Sequence, residues 1–424
     1  MFSGGTGEDS GTMRNLVRRV LVAMLVLSAS ATAGEKPELK LLYEQHRWFD
    51  LRDAINRNEQ SVPELYLGAV ASAFNNREAA EKYLRRAIHR APDSQDAIEA
   101  HEMLGYLYGR SGRYRDVVEQ FDSMLRIKPD RPDVKNVQSM YASFSPYPNQ
   151  SVDKFLVTTI SAEVGEDGIV LPVSIHGKTV HWALDTDLNV SLMSESEAHF
   201  LGVTVEEPVV QAADTDANIT SVRTAVVDEL TLGNVKLHSV AFVVLPDTQL
   251  PSDELSPGNR GLVGLPVVLA FQAIGWKSDG TFEIGHSTRP PANTAGNLFF
   301  DGFSPVVRAD FEGHNLDFIL DTGNQAGTEL WTRFAEDFVA LIKEHARKGK
   351  RTLTGIAGSN ERETAELPEI RLRVGGLETS LRPARVFSKP VGDDFHHGLL
   401  GLDVLSQARE VHIDFRSMTL KLLP

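Results

Sequence analysis

The sequence repeats itself imperfectly. WALDTDLNVS at 182–191 returns as FILDTGNQAG at 318–327. Each copy is a short apolar run ending in Asp-Thr-(Asp/Gly), and each is followed by Gly-aliphatic-aliphatic-Gly, GLVG at 261–264 and GLLG at 398–401. From Asp185 to Gly264 is 79 positions, and from Asp321 to Gly401 is 80. Self-similarity at a fixed spacing marks two copies of one structural unit. Asp185 and Asp321 then occupy equivalent places. Two equivalent carboxylates that face each other make a pair sharing one proton.

A chain of 424 residues is too long for one ordinary core, so several domains are expected. The net charge of −15 argues against nucleic acid and anionic membrane surfaces as partners. With no cysteine, disulfides, thiolate catalysis and cysteine-based zinc sites are excluded. The N-terminus suggests export. RNLVRR (14–19) is a basic segment, VLVAMLVLSASA (20–31) has the length of a signal h-region, and Ala31-Thr32-Ala33 offers small residues for cleavage. Residues 1–12 are acidic and Gly-rich, which makes Met13 an alternative start. The competing reading, an uncleaved anchor, is disfavoured because the apolar run is short for a membrane span. The expectation is an exported protein, bacterial and periplasmic or secreted, with no stable membrane span after signal cleavage.

From about 40 to 143 the pattern is helical, with apolar and small residues at three- and four-residue spacing. It also repeats. Gly68 and Gly105 are 37 apart, as are Pro92 and Pro129. Leu67-Gly68 aligns with Leu104-Gly105, Ala80 with Val117 and Leu84 with Phe121. This frame resembles the tetratricopeptide repeat, with a slightly longer turn at 94–96. Single helices at 42–55 and 133–144 are expected to cap the pair. The resemblance implies a groove for a protein partner; a packing platform for the next domain is the equal alternative.

After the turn-rich SPYPNQ (145–150) the texture changes to short β-like runs such as GIVLPVSIHGKTVHWAL and ELPEIRLRVGGLETSLRPARVF, separated by Gly, Asp, Asn and Pro. HSTRPPANTAGN reads as a linker between the copies. AIGWKSDGTFEI (273–284) and EVHIDFRSMTLKL (410–422) both read as strand, turn, strand. Helix is expected only at 195–202 and 332–349, each following its Asp-Thr loop. The expected organisation is a signal peptide at 1–33, helical repeats at 38–144, a first β lobe at 152–285, a linker at 286–297 and a second β lobe at 298–424.

Two carboxylates a few ångströms apart cannot both ionise easily. Such a pair can hold a water. The ionised member takes its proton while the protonated member polarises a carbonyl, and no metal or cofactor is required. The threonine after each Asp can hydrogen-bond to the opposite loop, and a glycine after it lets the backbones approach.

Taken together, 152–424 resembles the aspartic protease superfamily in its retropepsin-like branch, with two lobes fused in one chain. Ile319-Leu320-Asp321-Thr322-Gly323 and Leu399-Leu400-Gly401 fit the second lobe. Ala183-Leu184-Asp185-Thr186 and Leu262-Val263-Gly264 fit the first. The resemblance implies a multidomain chain, all-α repeats followed by an all-β two-lobed fold, that hydrolyses peptide bonds in a peptide or protein substrate. It implies Asp185 and Asp321 as catalytic residues, with Thr186, Thr322 and Gly323 orienting the loops. The flaps of the family would correspond to QAADTDANIT (211–220) and TLTGIAGSNER (352–362), neither of which holds the tyrosine of pepsin-like flaps.

One position departs from the family. Asp187 stands where the motif has glycine, placing a Cβ and a third carboxylate where the backbones are tightest. A modified protease is one reading. A degenerate lobe in a non-catalytic protein, holding polypeptide in its cleft and repeats, is the other. LDTDLN also resembles the opening of haloacid-dehalogenase-like phosphatases, but that motif opens an alternating α/β domain and leaves the second copy unexplained. DDFHH (393–397) is expected to be a solvated loop rather than a metal site, and the basic run at 347–351 a solvated helix end.

Overall fold

The computed structural model describes residues 37–57, 62–165, 168–207, 210–213, 219–249, 258–285, 296–355, 358–390 and 395–424. The expected signal segment, its alternative start at Met13 and most of the linker 286–297 lie outside them. Among the described residues, seven helices precede the first strand: α1 (Pro37–Glu44), α2 (Trp48–Asn56), α3 (Glu64–Ala73), α4 (Arg77–Arg90), α5 (Gln95–Arg110), α6 (Tyr114–Ile127) and α7 (Pro132–Phe144). None of the helices described is long and apolar enough to cross a membrane.

Helices α3–α4 and α5–α6 are the two copies of the 37-residue frame. The side chains of Asn76 and Ser94 accept from the backbone N–H groups of Ala79 and Ala97 and so start α4 and α5. The aligned glycines sit where the helices of each pair cross. A Cβ at Gly68 would lie 2.6 Å from the Leu84 side chain, and one at Gly105 would lie 2.5 Å from the ring of Phe121. The helix expected over 42–55 is in fact two, α1 and α2. Its break is at His46, whose φ of 53° cannot continue a helix. His46 instead turns its Nδ1 to within 2.7 Å of Asp301 Oδ2 in the β region.

The β region is built from three sheets. The first, nine-stranded among the described residues, runs from Ser151 to Val263, and the second, ten-stranded, from Leu298 to Leu400. Each repeats the same core arrangement. The strand Lys178–Leu184 runs parallel to Gly261–Val263, Ala183 opposite Leu262. The strand His314–Leu320 runs parallel to Gly398–Leu400, Ile319 opposite Leu399. The two terminal strand-turn-strand units and the strand Thr158–Ser161 form the five-stranded third sheet, where Ala273–Lys277 pairs antiparallel with Glu410–Asp414 and joins the copies.

Alternation along these strands separates two apolar cores. Leu184, Val263, Leu320 and Leu400 point into the β units. Leu192, Val243, Ile319 and Leu399 point to the opposite face, into a core continuous with the helices. The helices dock on both units. Tyr114 Oη donates to Ser239 O and accepts from Ala241 N in the first. Phe49 meets Phe299 edge-on in the second, with ring centroids 5.4 Å apart.

Three local expectations are corrected. The segment 332–349 is not one helix. Two short helices, Thr332–Asp337 and Val339–His345, break at Phe338 and give way to the strand Arg347–Gly355. The basic run is therefore a strand and not a solvated helix end. Its antiparallel partner, Gly358–Leu367, is rich in glutamate, with Arg347 opposite Glu366 and Lys350 Nζ 2.7 Å from Glu361 Oε1. Opposite charges facing across a ladder favour strand pairing over helix. Arg351 in this run is buried. The histidines of DDFHH are buried as well, although Asp393 and Asp394 lie outside the described residues. His396 Nε2 is 3.3 Å from Asp301 Oδ2. His397 Nδ1 accepts from Asp317 N, and its Nε2 is 3.1 Å from Asp337 Oδ2.

Candidate active site

Both Asp-Thr loops leave their strands in the same way. Asp185 N donates to Val263 O and Asp321 N to Leu400 O, each at 3.0 Å. The parallel ladder thus continues one residue past each strand and delivers the aspartates at the junction of the two units. The last glycine of each Gly-aliphatic-aliphatic-Gly motif is there for space. A Cβ at Gly264 would lie 2.7 Å from Leu188 O, and one at Gly401 would lie 2.9 Å from Asn324 O.

The threonines lock the loops together. Thr186 Oγ1 donates to Leu320 O at 2.7 Å and accepts from Thr322 N at 3.1 Å. Thr322 Oγ1 donates to Leu184 O at 2.8 Å and accepts from Thr186 N at 3.1 Å. Both side chains are fully buried. Each hydroxyl satisfies one donor and one acceptor that its neighbour's loop would otherwise leave unpaired.

This lock sets Asp185 and Asp321 side by side, with Asp185 against the second loop, 2.5 Å from where a Cβ at Gly323 would lie. Each also accepts from the backbone two residues on, Asp185 Oδ1 from Asp187 N at 2.9 Å and Asp321 Oδ1 from Gly323 N at 2.8 Å. Burial pushes Asp185 up to about 6, against the pull of the Asp187 and Leu188 backbone N–H groups. Asp321 is held well above the carboxylate range by burial first, then by the charges of Asp185 and Asp187. The pair therefore keeps a proton well above the pH at which a lone carboxylate would lose it.

Gly323 and Asp187 hold equivalent positions, and neither adopts a positive φ. At 323 the glycine is needed for room and not for conformational freedom. A Cβ at Gly323 would lie 2.5 Å from Asp185 Oδ2. Asp187 keeps the backbone hydrogen bond of that position and adds a third acid whose charge acts on Asp321.

The flap-equivalent stretches are hairpins. Val210–Ala213 pairs with Ile219–Leu232, and Arg347–Gly355 with Gly358–Leu367. Residues 214–218 and 356–357 lie outside the described residues.

A second matched pair was not found from the sequence. Ser191 Oγ accepts from Gly264 N at 3.0 Å, and Thr328 Oγ1 from Gly401 N at 3.1 Å. Ser191 is six residues after its aspartate and Thr328 seven, so the one-residue slip conceals the match. Thr328 is itself held by Asp403 Oδ1, which accepts from its N and Oγ1 at 2.8 and 2.7 Å.

A protein-family model described as aspartyl protease matches residues 171–267, which include Asp185 and the first Gly-aliphatic-aliphatic-Gly motif. No curated protein matches the chain. Among solved structures, a retropepsin-like aspartic protease from Rickettsia conorii is 12% identical. That match covers 31% of this chain and 95% of the other, with a TM-score of 0.23. The chain is thus a helical N-terminal region followed by a largely β region with a protease-like fold.

Proposed function

We propose that this protein is an exported aspartic endopeptidase that hydrolyses peptide bonds with a water held between Asp185 and Asp321. The observation that carries the proposal is the reciprocal Thr186–Thr322 lock, which sets the two buried aspartates side by side. In the reaction the ionised carboxylate takes a proton from the water, and the oxygen bonds to the scissile carbonyl carbon. The protonated carboxyl donates to the carbonyl oxygen. The tetrahedral intermediate collapses as the amide nitrogen is protonated and the C–N bond breaks. Thr186, Thr322 and Gly323 orient the two loops. The substrate is a peptide or protein, and the helical repeats offer a surface for a protein partner.

Asp187 favours a second reading, a protein of the same fold that binds polypeptide without cutting it. An assay of the purified chain on a mixed peptide library across acid to neutral pH separates the two. The endopeptidase reading expects cleavage that Asp321→Asn abolishes. Cleavage that survives this substitution overturns the dyad mechanism, and binding without cleavage in the unsubstituted chain favours the second reading. Export is tested by the N-terminus of the protein recovered from its native cell, expected near Gly34.

A further inference from the structure

The two β units differ at Glu329. Directly paired residues share a sheet face, as do residues two apart on a strand. Asp321, Ile319, Leu399 and Glu329 therefore form one row, since Leu399 lies opposite Ile319 on one side and Glu329 on the other. The matching row in the first unit is Asp185, Ala183, Leu262 and Leu192. Where the first row ends in leucine, the second ends in a buried acid.

A buried carboxylate requires a partner. Arg351, equally buried on the strand Arg347–Gly355, brings Nη2 to 3.4 Å from Glu329 Oε1. The same guanidinium donates from Nη2 to Gly327 O at 2.7 Å and from Nη1 to Thr328 O at 3.3 Å. Trp331 Nε1 donates to Glu329 Oε2 at 3.3 Å. The planar, spread donors of an arginine suit a carboxylate and two successive carbonyls together, where a lysine would offer a single nitrogen.

We propose that Arg351 is a positioning residue for the Asp185–Asp321 pair. It pins the segment behind Asp321 to the flap-equivalent hairpin and pairs with Glu329, offsetting part of the negative charge that Glu329 sets near the dyad. This rests on reading the pair as the hydrolytic dyad. Among the charges that act on Asp321 are those of Asp185, Asp187 and Glu329. Those acting on Arg351 are Glu329, Arg385 and Asp403. Arg351 is thus the cation set between Glu329 and the loop that carries Asp321.

The test is a carboxyl-carbon NMR titration of the full chain labelled at aspartate, with the dyad signals identified by their loss in Asp185→Asn and Asp321→Asn. In Arg351→Met the dyad midpoints are expected to rise by about one pH unit, and adding Glu329→Gln in the same chain returns them. Glu329→Gln alone, which leaves the arginine's charge uncompensated, is expected to lower them. This variant keeps the proposal testable where Arg351→Met does not fold. Midpoints unmoved in the folded variants, or moved the opposite way, overturn it. The peptide-hydrolysis optimum is expected to move in the same direction as the midpoints. A chain that cuts no peptide refutes the hydrolytic reading, while the titration still decides the role of Arg351.

Discussion

Gly323 lies directly against Asp185. A single added Cβ at this position would sit 2.5 Å from the Asp185 Oδ2 oxygen and 2.6 Å from its Cγ. Because the φ of Gly323 is not in the left-handed region, any residue could adopt its backbone, and only the carboxylate excludes a side chain. Gly323→Ala is therefore expected to displace Asp185 and lower kcat/KM by at least about a hundredfold, as misplacement of a reacting group by about 1 Å does. Circular dichroism is expected to show an intact fold. Activity within a fewfold of the parent would show that the loop yields.

Asp187 gives the converse experiment. Asp187→Gly removes a like charge acting on Asp321 and keeps the backbone donor to Asp185. The pH at which hydrolysis fails on the alkaline side is expected to move down, because Asp321 then holds its proton less tightly. An unchanged alkaline limb in a pH–rate profile would place the Asp187 charge outside the reaction.

The threonine lock separates hydroxyl from shape. Thr322→Val leaves Leu184 O and Thr186 N without their partners in a buried site. A loss of about 2–4 kcal/mol is expected, read as the midpoint of urea unfolding. Thr322→Ser, which keeps the hydroxyl, is expected to lose less than half of that.

The dyad also makes stability depend on pH. Both carboxyls have folded pKa values raised above their unfolded ones, so the folded state binds more protons than the unfolded state from about pH 4 upward. Their contribution to stability is fully present below pH 4 and is lost as pH rises through about 6 and beyond. Asp321→Asn is therefore expected to raise the melting temperature at pH 7 and to change it little at pH 3.5. Calorimetry showing equal shifts at both would refute the shared proton.

Asp301 tests how the helices are held. Burial works against its charge, but hydrogen bonds from His396 and His46 outweigh it and keep the carboxyl below the usual range. Asp301→Ala leaves two histidines without their shared acceptor and is expected to destabilise by about 3 kcal/mol. Hydrogen exchange is expected to quicken first in α1 and α2. Uniform quickening over the whole chain would show that α1 and α2 do not open separately.

The parts legible in the sequence were those whose signal is local. The apolar runs before Asp185 and Asp321, the glycines spaced behind them and the Gly68 and Gly105 crossings each follow from residues a few positions apart. The failures have remote partners. His396 reads as solvated because the residues that bury it include Asp301, nearly a hundred positions earlier, which His46 shares from the far end of the chain. Arg347–Arg351 reads as a helix end because the glutamates that draw it into a ladder belong to the next strand. Thr328 was missed because one extra residue shifts it out of register with Ser191.

The crossed threonines also bear on why the two halves can differ. Neither half can complete its own loop, so each depends on the other as the subunits of an obligate symmetric dimer would. In such a dimer a glycine-to-aspartate change appears twice, setting two additional carboxylates against the shared proton at once. Joining the copies in one polypeptide halves that burden. Within one polypeptide the extra acid stands on one side only, as Asp187, and Glu329 with Arg351 is likewise one-sided, since Leu192 holds the matching place in the first unit.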